Sequence, residues 1–105
     1  MKNGYYITSS GEKTVIEAGA KYVYCSNNQL KELVLPEGIK TVSCENNQLK
    51  ELVLPEGIKT VSCYNNQLTE LVLPEGIEYV HCDDLLFDAR KYIDDENVEI
   101  NIVCR

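Results

Sequence analysis

Residues 39–57, IKTVSCENNQLKELVLPEG, return at residues 58–76 as IKTVSCYNNQLTELVLPEG. The two copies differ only at Glu45/Tyr64 and Lys50/Thr69. An earlier copy, AKYVYCSNNQLKELVLPEG, fills residues 20–38, and partial copies flank the array. TVIEAGA at residues 14–20 aligns with LVLPEGI, and IEYVHCDDLLF starts at Ile77. Short units repeated in tandem gain their core by stacking, because one unit alone buries too little apolar surface.

Each part of the unit has a local reading. IKTVSC alternates apolar and polar residues, as a half-buried strand does. The LVL before each proline also alternates and predicts a second, shorter strand on the opposite side. Between them, Asn28, Asn47 and Asn66 stand where the chain leaves the first strand. An amide there both donates to and accepts from turn backbone, which assigns these asparagines a structural role. Pro36, Pro55 and Pro74, each followed by Gly38, Gly57 or Gly76, mark the second turn. Nineteen residues leave no room for a helix inside the unit.

IKTVSCENNQL fits LxxLxLxxNxL, with Cys44 at the third apolar position and Asn47 at the asparagine position. In this it resembles the leucine-rich repeat, and KELVLPEG resembles the short variable half of bacterial-type repeats. A second frame, with LKELVLP as the main strand, resembles another bacterial repeat class but places nothing suitable at the asparagine position. The likeness covers about residues 14–87. It implies a mainly β, right-handed repeat solenoid of parallel strands with no chemistry of its own, acting in protein binding.

The ends depart from the pattern. YYIT and KTVIE flank SSGE, which predicts a hairpin-like N-terminal cap whose second arm joins the first coil. At the other end Leu85 replaces the expected asparagine. From there Leu85, Leu86, Ala89, Tyr92 and Ile93 have helical spacing, with Asp83 or Asp84 as N-cap. NVEINIVC then predicts a last edge strand, so the C-terminal cap is a helix plus a strand. The chain reads as one domain: cap and half repeat over 1–19, repeats over 20–82, C-terminal cap over 83–105.

Cys25, Cys44, Cys63 and Cys82 recur every nineteen residues. Stacked parallel strands set equivalent residues about 4.8 Å apart in a line, a geometry that cannot surround a zinc ion and suits a disulfide poorly. These four are expected as a buried structural column, with Cys104 outside it in the cap. His81 precedes Cys82, and alternation turns the two side chains to opposite faces, against a Cys–His nucleophile. No phosphate loop, HExxH or nucleophile elbow is present. No catalytic residue, metal site or cofactor is expected; a thiol enzyme or metal protein is the least favoured reading.

The outward positions form three columns across the copies. They are Tyr22, Thr41, Thr60, Tyr79; then Tyr24, Ser43, Ser62, His81; then Ser26, Glu45, Tyr64, Asp83. Small hydroxyls occupy the middle and rings stand at both ends. Tyrosine offers contact area and a hydroxyl at low entropic cost. Tyr22, Tyr24, Thr41, Ser43, Glu45, Thr60, Ser62, Tyr64, Tyr79, His81 and Asp83 are therefore the candidate binding face. A scaffold that binds nothing in particular is the alternative, and the near-identity of the central copies fits it.

Ten Lys and Arg face seventeen Asp and Glu, a formal net charge of −7. That balance disfavours nucleic acid and anionic membrane surfaces as partners. Residues 83–105 hold seven of the acids against three bases. No stretch has signal-peptide or membrane-spanning character, and the cysteines are odd in number, so a cytoplasmic monomer with free thiols is expected. The partner is an unidentified protein or peptide.

Overall fold

In each IKTVSC unit the valine and cysteine are buried while the residues between them reach the surface. β-Branched Thr and Val favour this extended, one-face-covered backbone. The computed structural model describes residues 2–69, 71–83 and 101–104. Its strands are β1 (Gly4–Thr8), β2 (Lys13–Ile16), β3 (Tyr22–Tyr24), β4 (Leu30–Val34), β5 (Thr41–Ser43), β6 (Thr60–Ser62), β7 (Tyr79–Cys82) and β8 (Asn101–Cys104).

Two sheets result. One has five strands in the order β3-β5-β6-β7-β8, and every neighbouring pair in it is parallel. Its register follows the repeat: Tyr22, Thr41, Thr60 and Tyr79 are successive partners, as are Val23, Val42, Val61 and Val80. β8 carries the ladder further and sets the Cα of Cys104 beside that of Cys82. The expected last edge strand is thus present, and the expectation that Cys104 stands outside the column is corrected: by Cα register it is aligned with it.

The other sheet has three antiparallel strands in the order β2-β1-β4. The expected hairpin is present, but its first arm, not its second, joins the repeat. β1 pairs with β2 on one side and with β4 on the other. This explains why the leucine segment is a strand only in the first copy. β1 supplies that copy with an antiparallel partner, whereas residues 52–54 and 71–73 have none and form no strand. Gly4 permits the approach, since a Cβ there would stand on the backbone of Val34, Leu35 and Pro36.

One apolar cluster fills the space between. Ile39, Ile58 and Ile77, with Val42, Val61 and Val80, lose all solvent contact, and Leu30, Leu49 and Leu71 meet them from the return segments. Each such side chain contributes about 2 kcal/mol of hydrophobic stabilisation. At the second turn Gly57 has φ 89°, a left-handed conformation that side chains disfavour. The lysine near the start of each copy seals the turn at its end: Lys40 Nζ donates to Gly57 O and Lys59 Nζ to Gly76 O, both at 3.2 Å.

The expected class, a leucine-rich-repeat solenoid with a helix-plus-strand end, is therefore corrected to a small mixed-sheet body. The radius of gyration of 13.2 Å is that of a compact globule of this length, about 13 Å. Five strands spaced about 4.8 Å apart span only about 20 Å, so the stack never outgrows its cross-section, and the antiparallel hairpin broadens it further. Among the described residues there is no helix; the expected C-terminal helix falls on residues outside them. Among the described residues, no helix is long and apolar enough to cross a membrane.

Candidate functional site

The parallel sheet presents its outward columns on one surface, held from behind by two buried ladders. The first is the asparagine ladder. Asn47 Nδ2 donates to Cys25 O at 3.0 Å and Cys44 O at 2.9 Å, while its Oδ1 accepts from the N–H of Asn28 and Leu30 at 3.1 and 3.0 Å. Asn66 repeats this toward Cys44 O, Cys63 O and Leu49 N–H. Each amide thus ties its own copy to the one before. Asn28 has only a half-copy before it, and its side chain is exposed.

The second ladder is the cysteine column. Cys25, Cys44, Cys63 and Cys82 are all buried, and no disulfide joins the first three. Burial pushes the Cys25 thiol up to about 11 and the Cys63 thiol up to about 12, with the neighbouring Cys82 and Asp83 adding to the latter. Burial likewise raises Cys44 well above the ordinary thiol value. A nucleophilic cysteine needs the opposite shift. Among the described residues no group of three His, Cys, Asp or Glu side chains is placed to hold a metal ion.

On the outward side, Tyr22 and Tyr24 stand at the β3 end with parallel rings 6.3 Å apart, 63% and 71% exposed. Toward the other end the rings of Tyr64 and His81 lie 4.2 Å apart, tilted by 36°, with Tyr79 on the same strand as His81. Between them Thr41, Ser43, Thr60 and Ser62 are half-buried. Ser43 donates to Glu45 Oε2 at 2.7 Å, and its hydroxyl lies 3.2 Å from that of Ser26. Partial burial tends to raise the Glu45 carboxyl, but hydrogen bonds from Ser43, its own backbone and Ser26 and Ser62 outweigh it and hold it below the usual range. Glu45 is thus a fixed negative centre among hydroxyls.

Asp83, grouped with the face by its column, bonds sideways instead. Its Oδ1 accepts from Asn65 N–H at 2.8 Å and its Oδ2 from Asn66 N–H at 3.4 Å. It supplies the acceptor that an asparagine at position 85 would otherwise give. The opposite side of the molecule carries a feature that sequence reasoning missed. Val34, Val53 and Val72 point outward, the latter two 79% and 62% exposed. They line two grooves of about 620 and 240 Å³ with Pro55 and Pro74. The signal was the alternation in LVL, whose middle valine must face away from its leucines.

The chain matches no family model, no curated protein and no solved structure. The likeness of its repeat to leucine-rich repeats therefore stands on its own residues alone.

Proposed function

We propose that this protein is a non-enzymatic interaction module that takes a peptide or the edge of a protein on the outward face of its parallel sheet. The observation that carries the reading is the arrangement of that face: exposed tyrosines at both ends of a hydroxyl-lined strip with the Glu45 carboxylate at its centre. Rings supply contact area, and the carboxylate favours a partner offering a basic side chain or free N–H groups. The same charge and the net −7 disfavour nucleic acid and anionic membranes. Raised thiol pKa values speak against cysteine chemistry. A cytoplasmic setting for a monomeric chain agrees with thiols held reduced in the core.

The test is capture from a lysate of the source cell by the native protein and by a Tyr22→Ala/Tyr64→Ala/Tyr79→Ala variant whose fold is checked by circular dichroism. The native protein should retain a partner that the variant loses. Equal retention by both removes the face from the binding role, and retention of nothing favours a scaffold.

A further inference from the structure

At each internal junction of the parallel sheet, a strand offers the same groups to the copy before it. Thr41 N–H donates to Lys21 O at 3.0 Å and Thr60 N–H to Lys40 O at 3.1 Å. Ser43 C=O accepts from Cys25 N–H and Ser62 C=O from Cys44 N–H, both at 2.8 Å. Asn47 and Asn66 reach back to the preceding cysteine's carbonyl. In the first copy the equivalent groups are Tyr22 N–H, Tyr24 C=O and the Asn28 carboxamide. Among the described residues no strand pairs with β3 on that side, since β3 opens the sheet. The half-copy before it hydrogen-bonds at the turn, through Gly19 N–H to Glu37 O at 3.1 Å, and packs Ile16 against the core.

The hairpin frames this vacant strand position without filling it. Tyr6, Thr14 and Ile16 of the hairpin line one side of a hollow of about 240 Å³, and Val23, Cys25 and Asn28 line the other. Among the described residues the site thus has an open backbone edge and, beside it, a shelf of mixed polar and apolar lining. Open edges recruit extended segments through main-chain hydrogen bonds, and pockets for alternate side chains select among them.

We propose that the free edge of β3 takes an extended segment of a partner protein, added in parallel as a further strand and covered by the β1–β2 hairpin. The chemistry of that segment is read from what fills the same place at the other junctions: a branched aliphatic residue followed two positions later by a small apolar one, like Val42 and Cys44. Those two residues turn toward Ile16 and Val23, and the polar residue between them turns outward beside Tyr24. Glu12 on the rim of the hollow and the net charge of −7 favour basic flanking residues. The same charge opposes a second copy of this chain in that place. This site is distinct from the outward face, and the triple tyrosine-to-alanine variant keeps every backbone group of the edge.

The probe is a capped synthetic peptide, IKTVSC, under reducing conditions, with IKVTCS as a control whose alternation is inverted. Titrated into isotope-labelled protein, IKTVSC should shift the amide signals of residues 21–25 saturably and slow exchange at Tyr22 N–H. Tyr22→Pro, which deletes that donor, should bind about tenfold more weakly than Tyr22→Ala, which keeps it. Thr14→Trp, at an exposed position, should fill the hollow and abolish binding while leaving the fold intact. Absence of saturable binding, equal binding of the inverted peptide, equal affinity of the two Tyr22 variants, or shifts confined to Ser43 and Glu45 overturns the proposal. Self-association that Tyr22→Pro abolishes overturns it in favour of a second copy.

Discussion

Asn47 illustrates how much one side chain does in a stack of near-identical units. Its carboxamide closes hydrogen bonds with two carbonyls and two N–H groups across two copies, three of them buried and that to Asn28 part-buried. Asn47→Ala leaves those groups without partners, so unfolding in urea should show a loss of about 2–4 kcal/mol. Asn28→Ala, at the exposed start of the ladder, should change stability by under about 0.5 kcal/mol. Comparable losses at the two positions would contradict the ladder. The thiols give a second prediction. Their native values lie above the ordinary 9.0, at about 11 for Cys25 and about 12 for Cys63. Above pH 9 the unfolded chain loses these protons while the native one keeps them, so the native state binds more protons and stability falls as pH rises. The contribution is complete below pH 9 and drains away as pH climbs through about 11 for Cys25 and about 12 for Cys63. Urea midpoints measured between pH 8 and pH 11 should fall, and Cys63→Ala should flatten the slope. An unchanged slope in that variant would assign the pH dependence elsewhere. At this scale the sequence was informative: inward cysteines and bonding asparagines follow from alternation and spacing. The role of Asp83 did not, because its partners Asn65 and Asn66 lie in another copy.

At the scale of elements, the same seven letters behave differently in different copies. LKELVLP contributes a strand in the first copy and none in the second, since only the first meets β1. Local propensity is identical in these two copies, so pairing made the difference. The docking of β1 depends on Gly4, which lies against the backbone of Val34, Leu35 and Pro36. Gly4→Ala should therefore cost about 1–3 kcal/mol through overpacking against atoms that cannot move aside. Hydrogen exchange should accelerate in residues 4–8 and 30–34 while that of residues 41–43 and 60–62 stays slow. Uniform acceleration across all of them would mean that the hairpin and the parallel sheet open as one unit. The hairpin itself was legible from SSGE between two alternating runs. Which of its arms would meet the repeat was not, because both alternate and either could present an edge.

For the molecule as a whole, the sequence alone determined the periodicity, the in-register parallel strands, the inward Val and Cys rungs, and an acidic net charge. All of these are local or periodic properties, and a nineteen-residue repeat with alternating strands leaves little freedom in how its copies align. The tertiary structure decided the rest. It joined the hairpin by its first arm, making a mixed-sheet body in place of the expected solenoid, and set Cys104 beside Cys82. It turned Asp83 toward a neighbouring copy, exposed the valines on the far side, and, among the described residues, left β3 with an open edge beside a hollow. Each of these depends on which strand finds which partner at long sequence separation. That choice is made by packing at the ends of the stack, where the repeat no longer supplies the answer.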